Sequence, residues 1–263
     1  MTTRHDETTR HDERGPSLEA QVEMLRAQLA QAQKMSALGE LLSTTTHEFN
    51  NVLMTILNYA QMGMRHKDEP TRDKALDKIL KAAQRAAKIT NSVLGMARNR
   101  SGGFEATNLA QIIEESLLLL GKEMSKYKIA IEQQIGQVPE VPAIGNQIQQ
   151  VLLNLLINAR QAMPNGGRVL IKLEHDIQSG TVDLTVRDTG SGIPPEKLRR
   201  IFEPFFTTKT GPDESGKGGT GLGLSACRTI IESHRGRIRV ESTVGKGTAF
   251  TIKLPVTRKA EAA

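Results

Sequence analysis

Residues 182–194 read VDLTVRDTGSGIP, and this stretch decides the fold. Val182, Leu184 and Val186 alternate with polar neighbours, the two-residue period of a strand with one buried face. The strand leads to an acid, Asp188, with Gly190 and Gly192 close behind it. Upstream, Val169, Ile171 and Leu173 repeat the alternation, and Ser179-Gly180 supplies the turn between the two strands. Residues 108–123 and 145–163 read as helices, with a strand-like alternation over Lys128–Gln134 between them. Downstream, a glycine-rich stretch at 211–223 precedes a helix to about His234, and closing strands follow at Arg237–Ser242 and Thr248–Leu254. Strands and helices mixed in this order predict an α/β sandwich, not a doubly wound sheet.

Toward the N-terminus the pattern becomes purely helical. Ser101-Gly102-Gly103 reads as a hinge, and before it lie two helical stretches separated by a turn at Asp68-Glu69-Pro70. The first continues to about Met64, with Phe49, Val52, Ile56 and Ala60 as its buried stripe. The second runs from about Thr71 to Arg98, with Leu76, Ile79, Ala83, Ala86, Thr90, Val93 and Ala97 on one face. Such stripes are too narrow for a self-sufficient core, so two hairpins are expected to pair as a dimeric four-helix bundle. Ser17 is a candidate N-cap, and Leu18, Val22, Leu25, Leu29 and Ala32 form a short coiled-coil seam. The hexamer TTRHDE occurs twice, at residues 2–7 and 8–13, with no apolar residue to pack, which predicts a disordered tail. The expected fold class is therefore α+β: tail 1–16, coiled coil 17–35, helical hairpin 36–100, sandwich domain 104–257 and a second tail 258–263.

Composition excludes several classes. The 263 residues suggest about two domains, and 38% hydrophobic content with no Trp implies an aliphatic core. No apolar run approaches the roughly 18 residues of a membrane span, and the polar N-terminus does not resemble a secretory signal. The single Cys227 cannot form an internal disulfide and fits a reducing, cytoplasmic setting. A net charge of +6 without a basic run interleaved with aromatics points away from nucleic acid.

Four segments carry chemistry. HEFNN (47–51) sits within the first helix of the hairpin. At about 100° per residue, His47 lies roughly 160° from Phe49, on the solvent side with Thr44 and Asn51. A neutral imidazole is a phosphorus nucleophile if one nitrogen is free, and the adjacent Glu48 carboxylate can take the proton from the other. Asn154 and Asn158, four apart in NLLINARQAM, share a helix face and offer oxygen ligands to Mg²⁺ carried by a nucleotide triphosphate. Asp188 can only accept hydrogen bonds, which suits the exocyclic amine of adenine, and Gly190 and Gly192 would let the backbone approach the base. GKGGTGLGLS (216–225) places free backbone N–H groups ahead of a helix, a setting for phosphates. Residues 211–217 imitate a Walker A start, but Gly218 stands where Ser or Thr is required. IFEPFFTTK (201–209) has three aromatics in five residues and reads as a lid.

The order HEFNN, NLLINA, DTGSGI, EPFFTTK, GTGLGLS, GKGTAF resembles the sensor histidine kinase family over about residues 36–255. The FNN and PFFTTK variants look most like kinases of the nitrogen-regulation type, and the C-terminal part looks like the ATPase fold shared with gyrase and mismatch-repair proteins. The resemblance implies an ATP- and Mg²⁺-dependent protein histidine kinase that phosphorylates His47 and passes the phosphoryl group to an aspartate on a response regulator receiver domain. It implies Glu48 as acid–base partner, Asn51 as the water-positioning residue of phosphatase action, and Asn154 and Asn158 as the Mg²⁺ ligands. It implies Asp188 as adenine reader with Gly190 and Gly192 beside it, Lys209, Gly221 and Gly223 near the phosphates, and Thr248 near the base. Many family members carry Pro soon after the His-box asparagine; here Val52 stands there, so no kink is expected. No input domain of recognisable size precedes the bundle, so a signal is expected to enter through the coiled coil or a separate sensory partner. Two competing readings are a kinase-like scaffold or predominant phosphatase, which intact His47 and Glu48 argue against, and a DNA-handling ATPase, which the HEFNN hairpin argues against.

Overall fold

The computed structural model describes residues 49–97, 103–207 and 221–256, with Gln21, Met24, Gln28 and Thr46 besides; the side chains of residues 88 and 91–97 are excepted. Both expected tails and most of the expected coiled coil lie outside the described residues.

Helix α1, described over residues 49–65, runs without interruption through Val52. A three-residue connection leads to α2 (Glu69–Ala97). The turn expected at Asp68-Glu69-Pro70 falls earlier, at residues 66–68, so Glu69 and Pro70 belong to α2. Asp68 caps α2, its Oδ1 accepting from Thr71 N at 3.0 Å, and hydrogen bonding from the Thr71 side chain and then from its backbone N–H holds the carboxyl below the usual range. Pro70 then sits in the first helical turn, where its missing N–H costs nothing.

The packed face of α2 also differs from the expected one. Ala75, Ala82 and Ile89 are buried, with Ile79 and Ala86 half-buried, whereas Leu76, Leu80, Ala83 and Thr90 are exposed. On α1, Val52 is buried but Phe49, Leu53 and Leu57 are not. The physical reason is that α2 carries two apolar stripes. One packs within the chain, where Val52, Ala82 and Ile89 join the cluster of the next domain, and the other is uncovered in a single chain.

The second domain comprises β1 (Glu105–Thr107), α3 (Leu109–Lys126), β2 (Ile129–Ile135), β3 (Val141–Ala143), α4 (Gly145–Gln161), β4 (Gly167–Asp176), β5 (Thr181–Asp188), α5 (Pro195–Leu198), α6 (Gly223–Ser233), β6 (Arg237–Thr243) and β7 (Gly247–Pro255). The main sheet has the order β2-β4-β5-β7-β6, with β2 parallel to β4 and every other pair antiparallel. Val169, Ile171 and Leu173 of β4, Val182, Leu184 and Val186 of β5, and Phe250, Ile252 and Leu254 of β7 are all buried. They face the aliphatic layer of α3, α4 and α6, so the core lies between one sheet and one helical layer. Full burial of a large aliphatic side chain contributes about 1.5–3 kcal/mol, and α4 supplies seven such positions between Ile148 and Ile157. The other sheet face is polar. The Thr185 and Thr251 hydroxyls are 3.0 Å apart, and Lys253 pairs with Asp183 and Asp176. Strands β1 and β3, three residues each, form a separate antiparallel ladder that the sequence pattern did not reveal.

Candidate nucleotide site

The site is built where β5, α4 and α6 converge. Asp188 ends β5 on the buried side of the sheet and is only 6% exposed. Its Oδ1 accepts from Gly190 N at 2.8 Å and from Thr248 N at 3.2 Å. Both protein donors fall on one oxygen, so the other keeps acceptor capacity for a ligand donor. Burial pushes the Asp188 carboxyl up, against the opposing effect of those two N–H donors. Thr248 is buried, its hydroxyl 2.9 Å from Ser242 Oγ, and Ser242 in turn accepts from Ile193 N at 2.8 Å. The carboxylate, the DTGSGI turn and the β6–β7 hairpin are thus one hydrogen-bonded unit.

Gly190 and Gly192 have a reason that the sequence reading missed. A Cβ on Gly190 would lie 2.7 Å from Ala162 Cβ and from Ala162 O, so the turn presses against the end of α4. Gly192 has φ +71 and its Cβ would lie 2.2 Å from Thr243 O. Their small size is required by the protein's own packing before any base is considered. Gly192→Ala is expected to lower stability by about 2 kcal/mol, read as a shift of the denaturant midpoint at constant slope; an unchanged midpoint would contradict the close packing.

Asn154 is nearly fully buried on α4, and its Nδ2 donates to Gly223 O at 3.3 Å and lies 3.8 Å from Cys227 Sγ. A Cβ on Gly223 would make ordinary contact with the Asn154 carboxamide at 3.8 Å. Asn158 lies one turn further on, half-buried. The start of α6, which follows the glycine-rich stretch, is therefore seated on the first of the two asparagines. Cys227 is fully buried, with its thiol pushed up to about 12 by desolvation, and is inert at neutral pH.

Gly221 has φ +67 and its Cβ would lie 2.4 Å from the carbonyl carbon of Phe205. The aromatic segment therefore packs directly against the chain two residues before α6. Phe202 packs edge-on against Phe250 at 6.4 Å, and Arg200 lies 4.7 Å above the Phe206 ring. Phe205, by contrast, is 68% exposed and adopts φ +65. Only this one of the three phenylalanines of the expected lid is unpacked.

The donor set bears on the fit of two groups, ATP and Mg²⁺. Asn154 and Asn158 offer neutral amide oxygens, and among the described residues no group of three His, Cys, Asp or Glu could hold a metal. Neutral amide oxygens fit a cation whose counter-charge comes from phosphates, as Mg²⁺–nucleotide requires. A buried acid with a free acceptor oxygen fits the adenine amine. Of the remaining expected residues, Asn51 is exposed on α1, and His47, Glu48 and Lys209 lie outside the described residues. Among the described residues no helix is long and apolar enough to cross a membrane.

Comparison with known proteins agrees with this geometry. A family model described as histidine kinase-, DNA gyrase B-, and HSP90-like ATPase matches residues 143–258, and one described as the His Kinase A (phospho-acceptor) domain matches residues 37–102. The sensor kinase CckA of Brucella abortus (strain 2308) is 36% identical over 246 residues, 88% of this chain and 25% of that protein. The signal transduction histidine-protein kinase AtoS of Escherichia coli (strain K12) is 32% identical over 229 residues, covering 87% and 36%. The chain thus spans about a quarter to a third of these two curated relatives. Among solved structures, the catalytic domain of histidine kinase ThkA superposes with a TM-score of 0.51 at 35% identity, over 59% of this chain and 96% of that one. ThkA in complex with the response regulator protein TrrA matches at 29% identity with a TM-score of 0.50, over 93% and 68%.

Proposed function

The chain belongs to the histidine kinase family, and from that premise we propose that it is an ATP-dependent protein histidine kinase of a two-component system. The observation that carries this reading is the buried Asp188, satisfied on one oxygen and positioned beside the α4–α6 pair, in a chain that also has a phospho-acceptor segment.

In this reading Asp188 and Thr248 bind the adenine, and Gly190 and Gly192 shape the turn beside it. Asn154 and Asn158 hold Mg²⁺, which when bound neutralises phosphate charge. Gly221 and Gly223, with Lys209, line the triphosphate. His47 attacks the γ-phosphorus through an imidazole nitrogen, ADP leaves, and the Glu48 carboxylate takes the ring proton. The phosphoryl group then passes from His47 to an aspartate oxygen of a response regulator receiver domain. Asn51 orients water when the same regulator is dephosphorylated. Positioning of these groups supplies most of the rate.

The exposed Leu53, Leu57, Leu76 and Leu80 support a homodimer in which a second hairpin covers them. We divide the chain as residues 36–100 for dimerisation and phosphoacceptance and 104–257 for nucleotide binding, with 17–35 as a coiled coil open to a separate sensory partner. The single buried thiol fits a cytoplasmic, reducing setting.

Labelling with γ-phosphate-labelled ATP and Mg²⁺ tests the reading: acid-labile, base-stable label is expected. Protein that binds ATP and takes none would favour a scaffold or phosphatase. Asn158→Ala is expected to fold normally and to lose labelling by about tenfold or more; full labelling would remove it from the metal site.

A further inference from the structure

His234 is 2% exposed and joins two helix ends. Its Nε2 lies 2.9 Å from Ile144 N, and its Nδ1 lies 2.7 Å from Ile230 O. The Ile144 amide can only donate, so Nε2 is the unprotonated nitrogen and Nδ1–H donates to the Ile230 carbonyl. One neutral imidazole thereby ties the C-terminal turn of α6 to the residue that opens α4. Ile144 is the N-cap of α4 and has no side-chain cap of its own.

Phe104, the second described residue after the linker, rests edge-on against the same ring, with centroids 4.9 Å apart and planes at 60°. The chain then enters β1, which pairs with β3 in the register Glu105↔Ala143, and Thr107 Oγ1 donates to Ala143 O at 2.9 Å. Ala143 directly precedes Ile144. The linker is thus joined to the start of α4 by a short ladder and, through Phe104 and His234, to the end of α6. The same two helices meet again at the site, where Asn154 in the middle of α4 donates to Gly223 O at the start of α6. A 53% exposed phenylalanine packed on a buried histidine is a contact that a displacement of Phe104 itself can make or break.

We propose that Phe104, His234 and Ile144 form a joint that couples the interdomain linker to the nucleotide site, with His234 as a positioning residue that sets the register of α4 against α6. The catalytic consequence rests on the kinase reading; the coupling itself needs only nucleotide binding.

Hydrogen exchange of the full chain, with and without Mg²⁺ and a non-hydrolysable ATP analogue, tests this. Coupling is reciprocal, so the analogue is expected to slow exchange over residues 103–107 by about fivefold. His234→Leu should abolish that response. His234→Gln should retain it, because its carboxamide can accept from Ile144 N–H and donate to Ile230 O. Phe104→Ala should abolish the response at the linker and, by the same reciprocity, weaken analogue binding by up to about fivefold, and should slow His47 labelling by about tenfold. If His234→Leu fails to fold, Phe104→Ala decides alone. An unchanged linker response in Phe104→Ala, or no response in the natural sequence, would overturn the joint. A protein that shows the response but never labels His47 would keep the joint and lose the kinase reading.

Discussion

His47→Gln is expected to bind Mg²⁺-ATP as the natural sequence does and to take no acid-labile label at all. Glutamine is close in size and polarity and a good helix former, so the substitution is expected to leave the hairpin unchanged. What disappears is the nitrogen lone pair that attacks phosphorus. The neighbouring Glu48 carboxylate cannot substitute, because an acyl phosphate has the opposite stability, surviving acid better than base relative to phosphohistidine. The loss should therefore be complete, with nucleotide affinity serving as the internal control. Label persisting in His47→Gln would move the acceptor to another residue. Loss of affinity in the same variant would mean that the substitution disturbs the nucleotide site itself.

Asp188→Asn is expected to weaken nucleotide binding by about 2–3 kcal/mol, roughly 30- to 150-fold. The Asn carbonyl can still accept from Gly190 N and Thr248 N, so the turn and the β6–β7 hairpin stay in place. The other position then presents an amide donor to the adenine amine, donor against donor, in a buried site. Titration of nucleotide against the folded variant measures the loss; binding within threefold of the natural sequence would exclude Asp188 as the adenine reader. Acidity should act on the same contact. Because burial raises the Asp188 carboxyl above its ordinary 3.8, the folded protein takes up that proton more readily than the unfolded chain does. Falling pH through that interval then favours the folded form through this group, yet weakens adenine binding, since a protonated carboxyl accepts less well. The affinity loss should begin above pH 3.8 and be absent from Asp188→Asn.

The two-residue period found β4, β5 and β7 because each has one face on an aliphatic layer and one in water. Helices α3 and α4 were legible as helical stretches at 108–123 and 145–163, and α6 as the helix that follows the glycine-rich stretch to about His234. The three-residue strands β1 and β3 were not, because three residues cannot display a period. Two features of the site were hidden for a different reason. Gly192 was assigned to the approach of a base, yet its φ of +71 and its closeness to Thr243 O are demands of a hairpin 50 residues away in sequence. His234 carried no signal at all: a histidine at a helix end is unremarkable until the Ile144 amide is found on its ring nitrogen.

The amino-acid order alone carries the longer elements, their succession and the residue types able to read adenine, hold a nucleotide-borne cation and accept a phosphoryl group. Those depend on local periodicity and on side-chain chemistry, both of which survive in one dimension. Only the tertiary structure decided which apolar stripe of α2 packs within the chain, why Asp188 retains one acceptor oxygen, and how the linker touches the far ends of the two helices that form the site. Each of those is a contact between segments remote in sequence, set by which surfaces can be buried together once the sheet and its helical layer have closed.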